Sequence, residues 1–178
     1  MLKKYIEEGY TFTYGIASDY SAVEITNIID KLKIAMNKMN ATLTVDIIKI
    51  NIDTYVKEIL SNRYQVLAMY GESELVAAFV YTIGSSVTYN GVIPCFICNT
   101  VWVSDSVVAH DVFDRLRNFL YSINVYCIKV VDARKGFIDV FDKTRLREGM
   151  VVNELNTSDV MVYFDKNDKN TINFIVRR

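Results

Sequence analysis

The sequence is short of the residues that break, staple or punctuate a chain: one proline, seven glycines and three cysteines in 178 residues. An odd, sparse set of cysteines excludes the disulfide framework of a small secreted domain, and a reducing compartment is the simpler reading. With a single proline, no Gly/Ser-rich stretch, no long block of one charge and no internal repeat, nothing marks a linker. Residues 1–178 therefore read as one domain. No run approaches the ~18 apolar residues that would span a membrane, and Met1-Leu-Lys-Lys-Tyr-Ile-Glu-Glu8 meets two acids before an export-type apolar run develops. A cytoplasmic protein without a membrane partner is expected.

Metal chemistry is also poorly supplied. Cys95-Phe-Ile-Cys98 has zinc-knuckle spacing, but a structural zinc needs four ligands, which would take both Cys127 and the single histidine, His110, with none to spare. Burial of these thiols in a strand is the simpler account, and no metal is expected. Twenty basic and 21 acidic residues give a formal net charge of −1, so no global field favours nucleic acid or an anionic surface. Arg115, Arg117, Arg134, Lys135, Lys143, Arg145 and Arg147 make one region locally basic. Asp111, Asp114, Asp132, Asp139, Asp142 and Glu148 interleave with them, which describes a mixed solvated face.

What is present is ordinary globular material, 51% hydrophobic and 23% charged, enough to bury one sizeable core. Tyr10 to Ala17 alternates and reads as a strand ending near Gly15. Ser21-Ala-Val-Glu24 is a capping box, and Ile28, Leu32, Ala35, Met36 and Met39 continue it at helical spacing to just before Asn40. Thr42 to Ile50 is rich in β-branched residues and reads as extended. Asp53 is placed to cap a helix to about Ser61, with Tyr55, Val56, Ile59 and Leu60 inward. Gln65 to Tyr70 and Leu75 to Tyr81 form a hairpin around Gly71-Glu-Ser-Glu74. A loop around Gly84 and Asn90-Gly91 then leads to a long strand, Ile93 to Val103, with Pro94 near its start.

Ser104 or Asp105 is the natural cap of a helix whose face is Val108, Val112, Leu116, Phe119, Leu120 and Ile123. Val125 to Val131 reads as a buried strand, Phe137 to Arg147 as a helix closed by Gly149, and Met150 to Asn153 and Val160 to Phe164 as strands. Ile172 to Val176 adds an edge. The fold class is α/β in the mixed α+β sense: a central, mostly antiparallel mixed sheet with helices on both faces.

From Gln65 to Phe164 this order resembles the GCN5-related N-acetyltransferase family. The residues carrying the resemblance are the hairpin Val66 to Phe79, the strand-to-helix junction Val101-Trp-Val-Ser-Asp-Ser106, and the turn Arg147-Glu-Gly-Met150. The resemblance implies transfer of an acetyl group from acetyl-coenzyme A to an amine on a small molecule or a protein. It places the pantetheine arm along the backbone of Val101, Trp102 and Val103, and the pyrophosphate on the amides of Ser106, Val107, Val108 and Ala109, with Ser104 and Asp105 in the same loop.

The chain departs from the family here. The Arg/Gln-x-x-Gly-x-Gly/Ala signature is absent, Asp105 adds a carboxylate that repels phosphate by on the order of 1 kcal/mol, and Phe141 stands where an acidic tyrosine is usual. No catalytic residue is assigned. Some phage-encoded internal virion proteins resemble the same family with a worn signature, and a chain rich in Ile, Asn, Lys and Tyr suits an AT-rich genome. The alternative is thus a catalytically inactive protein of this fold, a viral structural or host-interaction module in virion or host cytoplasm, with a protein partner or a second copy of itself.

Other residues carry sharper and plainer readings side by side. His110 beside Asp111 has the pKa range of an acid or base, yet on a first helical turn it is more often a surface residue. Glu72 or Glu74 could act as a base for an amine, and solvated loop charge explains them more simply. Tyr70, Tyr81 and Trp102 could wall an aromatic substrate, and sheet packing accounts for them better.

Overall fold

The computed structural model describes residues 1–41, 49–88, 91–107, 109–134, 157–164 and 172–177. The elements in chain order are β1 (Lys3–Glu7), β2 (Tyr10–Ile16), a 3-10 turn (Ala17–Asp19), α1 (Ala22–Ala41), α2 (Ile52–Leu60), β3 (Gln65–Gly71) and β4 (Glu74–Thr88), then β5 (Gly91–Val103), α3 (Ala109–Ser122), β6 (Cys127–Arg134), β7 (Thr157–Phe164) and β8 (Ile172–Arg177). This is the expected mixed, mostly antiparallel α+β fold. The extended stretch expected over 42–50 lies largely outside the described residues, as do the helix at 137–147 and the strand at 150–153.

The chain divides into two compact units, Met1–Tyr81 with Asn99–Val107, and Thr82–Cys98 with Val108–Arg178. In the first, β1, β2, β3 and β4 are neighbours in chain order and every pair is antiparallel. The hairpin β3–β4 closes through Glu72 and Ser73, both with positive φ, at 51° and 70°. That is the conformation of a two-residue turn whose twist matches the strands. Two residues down the ladder, Met69 faces Ala77 but Tyr70 faces Leu75, so Val76 is the extra residue of a bulge.

The capping box at α1 forms as its sequence dictates. The Ser21 hydroxyl accepts from the Glu24 amide at 3.2 Å, and the Glu24 carboxylate accepts from the Ser21 amide at 3.1 Å. Ile25, Ile28, Ile29, Leu32 and Met36 then form the buried stripe. Near the end of the helix Asn40 holds Ile50: its amide nitrogen donates to the Ile50 carbonyl at 2.8 Å and its oxygen accepts from the Ile50 amide at 2.7 Å. The cap of α2 is Asn51, not Asp53, because the Asn51 side chain is the one that reaches the Thr54 amide, at 3.1 Å. Ile59 is fully buried, Tyr55 and Val56 are partly so, and Leu60, expected inward, is half exposed. At the far end Asn62 turns left-handed, with φ 65°, and the Arg63 amide returns to the Glu58 carbonyl at 3.2 Å.

These pieces share one core, in which the α1 stripe and Ile59 meet Val66, Ala68, Ala78 and Val80. Full burial of each large aliphatic side chain is worth about 1.5–3 kcal/mol, which explains why these helices hold without strong propensity.

In the second unit β5 runs parallel to β6, with Phe96 opposite Ile128 and Cys98 opposite Val130, while β6–β7 and β7–β8 are antiparallel. Gly84, expected in a loop, lies within β4: a Cβ there would come 2.5 Å from Ile97 Cδ1, so glycine admits the close approach of Ile97. Val125, expected in a strand, belongs instead to the end of α3. Asn124 turns left-handed, with φ 58°, and the Val125 amide bonds the Leu120 carbonyl at 2.9 Å, a Schellman closure. Strand β6 accordingly starts later, at Cys127, and continues through Asp132, Ala133 and Arg134. A strand missed from sequence, β1, is mostly exposed and has too little apolar content to read as one.

Candidate functional site

The site candidates converge on the end of β5 and the turn that follows it. Successive residues of a strand point to opposite faces. Thr100 and Trp102 therefore share one face and Val101 and Val103 the other. Thr100 is buried and its hydroxyl lies 3.3 Å from the Tyr55 hydroxyl of α2. Trp102 packs on the helix-bearing core, and the Lys31 ammonium of α1 stands 5.3 Å from its ring centroid. Val101 and Val103 are half-buried. The strand end is fastened to β4 by the Ser104 amide, which donates to the Val76 carbonyl at 2.8 Å. Val76 is the bulge residue, so the irregularity in β4 sits where β5 stops being a strand.

Beyond that bond the chain makes a tight serine turn. The Ser104 and Ser106 hydroxyls are 2.8 Å apart, the Ser106 amide donates to the Ser104 hydroxyl at 3.2 Å, and the Val107 amide donates to the Ser104 carbonyl at 3.3 Å. Asp105 and Ser106 are exposed at its tip. Neither Ser104 nor Asp105 caps the helix, as the sequence suggested, because the turn absorbs the Ser104 side chain and α3 opens only at Ala109. Among the expected phosphate-binding positions, Val108 lies outside the described residues, and Ala109 is the first residue of α3, where helical amides lack carbonyl partners within the helix. The Ser-x-Ser spacing was the one available signal for this turn, since short hydroxyl side chains bond the backbone two residues on.

The other candidates separate from this turn. Glu72 and Glu74 are exposed at the hairpin tip, and Tyr81 is 4% exposed, which makes it core. Burial pushes the Tyr81 phenol up, with Tyr14 adding to the effect, and burial followed by Glu24 raises Tyr70. Tyr70 packs on the same core as Trp102. The side chain of His110 lies outside the described residues. Arg117 pairs with Asp114 at 3.4 Å, but its side chain is only 14% exposed, so Arg117 does not lie on the solvated face expected of it. Cys95 and Cys98 are both buried in β5 and, three residues apart, fall on opposite faces, so the pair cannot chelate one ion. Among the described residues no three His, Cys, Asp or Glu side chains gather to hold a metal, and no helix is long and apolar enough to cross a membrane.

No protein-family model and no curated protein matches the sequence. Solved structures do match. The crystal structure of Tetrahymena GCN5 superposes with a TM-score of 0.55 at 9% identity, covering 88% of this chain and 98% of that one. That of a possible acetyltransferase from Clostridium difficile 630 gives a TM-score of 0.50 at 13% identity, over 81% and 94% of the two chains. At such identities the likeness is one of fold, and the chain has the fold of GCN5-related acetyltransferases.

Proposed function

We propose that this chain transfers an acetyl group from acetyl-coenzyme A to an amine carried by a small molecule or a protein. One observation carries the reading: in a chain of this fold, the strand β5 runs straight into an exposed, hydroxyl-rich turn and then the start of α3. An anionic cofactor needs donors at that junction. The Ser104 and Ser106 hydroxyls and the Ser106 and Val107 amides are donors within one turn, and the two amide bonds they make, at 3.2 and 3.3 Å, are long enough to exchange for a phosphate oxygen. The turn thus fits the group, with Asp105 as the one unfavourable neighbour.

In this reading Ser106, Val107, Val108 and Ala109 hold the pyrophosphate, and the backbone of Val101, Trp102 and Val103 aligns the pantetheine arm. Lys31 lies over the Trp102 ring and Thr100 bonds Tyr55, so both side chains on this face of the strand end have a partner on a helix. Acetyl-coenzyme A supplies the activated acyl group as a thioester. The acceptor amine is its own nucleophile, so the protein's part is to orient the two and exclude water.

Calorimetric titration with acetyl-coenzyme A and coenzyme A, at low and moderate salt, tests this directly. Saturable binding that weakens about tenfold in Ser106→Asp is expected, a loss of about 1.4 kcal/mol. Binding that ignores Ser106→Asp would remove the cofactor from this turn. A second reading is favoured by the internal bonding of the same turn and by Asp105 at its tip: a retired acetyltransferase fold, viral structural or host-interaction in role, working through a protein partner or a second copy in host cytoplasm or virion. Titrations with no heat for either ligand would favour it.

A further inference from the structure

Cys95 and Cys127 are 1% and 0% exposed and lie in neighbouring strands of the same unit. The parallel register sets Phe96 against Ile128, so one step back Cys95 stands beside Cys127. Their sulfur atoms are 3.1 Å apart and share a hydrogen. Ile93 and Ile97 pack around the pair. Adjacent strands run about 4.8 Å apart, within the Cα separation that a disulfide accepts. Cys98 is also buried, but it points to the opposite face of β5 and does not compete.

The plain account is that the two thiols are small apolar fillers. That account does not explain why the sulfurs face each other within hydrogen-bonding distance rather than being separated by a neighbour. It also leaves out the surroundings of Cys95. The hydrogen bond with Cys127 holds the Cys95 thiol below the ordinary thiol range against the opposing effect of burial, and the Lys129 ammonium acts in the same direction. A thiol so placed ionises more readily, and the thiolate is the nucleophile.

We propose that Cys95 and Cys127 are an oxidation site that a hydroperoxide closes into a disulfide between β5 and β6. The Cys95 thiolate attacks the peroxide oxygen, the O–O bond breaks, and a sulfenic acid forms as the leaving oxygen departs as water or alcohol. Cys127 then attacks the sulfenic sulfur, its proton leaves with the hydroxyl as water, and the S–S bond forms. Two thiols are oxidised by two electrons and one peroxide is reduced. The bond would close a segment of the chain, 32 positions long, that carries the serine turn and α3. Because the pair is buried, local opening sets the rate.

The test is to treat the native chain with hydrogen peroxide, then denature, alkylate and map the peptides. Expected is a Cys95–Cys127 cross-linked peptide with Cys98 alone alkylated, full recovery of three thiols by dithiothreitol, and a melting temperature about 5–10 °C higher in the oxidised chain. Cys98→Ser keeps the cross-link, and Cys127→Ser leaves a trappable sulfenic acid at Cys95. Three alkylated thiols, a link through Cys98, a disulfide-linked dimer, or Cys95 sulfinic acid without a link would each overturn the proposal. The wild-type mapping decides the matter even if Cys127→Ser fails to fold.

Discussion

Tyr20 shows what single residues contribute to this fold. Its hydroxyl lies 2.8 Å from the Thr13 carbonyl and 3.0 Å from the Val66 carbonyl, and it accepts from the Thr13 hydroxyl at 3.3 Å. One buried phenol thus serves two adjacent strands, β2 and β3, from the foot of α1. Tyr20→Phe keeps the ring and removes every one of these bonds. A loss of about 1–2 kcal/mol is expected, read as a lower urea midpoint at unchanged slope. A variant as stable as the parent would mean that water already serves those carbonyls. Nothing in the sequence singles out Tyr20, because its partners lie seven and 46 positions away. The Ser104–Ser106 pair is the opposite case: its contacts are local, yet the same residue types also suit a helix cap, which is how the sequence reads Ser104.

Elements were legible in proportion to how local their causes are. The α1 capping box, the α1 stripe and the β3–β4 hairpin are each written within a few consecutive residues, and each forms where its residues put it. The turn of that hairpin also yields a prediction. Glu72 and Ser73 both hold positive φ without being glycine or asparagine. Glu72→Asn with Ser73→Gly suits that backbone and should stabilise the chain by about 1 kcal/mol, visible as a raised thermal midpoint. A lowered midpoint would show that Glu72 and Ser73 make contacts worth more than the backbone strain. Boundaries were less legible. Asn51 rather than Asp53 caps α2, and Val125 closes α3 instead of opening β6, because caps depend on which side chain meets a free amide. Gly84 reads as a loop by type and is strand by contact, since Ile97 occupies the space its Cβ would fill.

At the scale of the whole molecule, the buried phenols give stability an alkaline limit. Tyr20 is held protonated chiefly by burial, partly offset by its bond to Thr13, and Tyr81 is raised by burial and then Tyr14. In the unfolded chain both lose their protons near pH about 10, while the folded chain keeps them. Between those points the folded state binds more protons, so the contribution is complete below about pH 10 and falls as pH rises beyond it. Urea midpoints between about pH 8 and pH 11 should decline at the upper end, and Tyr81→Phe should flatten the decline. A midpoint flat to pH 11 in the parent would contradict this. By itself the sequence determined the mixed, mostly antiparallel class, the α1 helix, the hairpin and the long strand leading to a helix, because periodicity, capping and turn chemistry act over a few residues. Only the tertiary structure decided that Val76 bulges to receive Ser104, that Trp102 lies under Lys31, and that Cys95 faces Cys127 while Cys98 does not. Those depend on register between strands distant in the chain, where a shift of one residue sends every side chain to the other face.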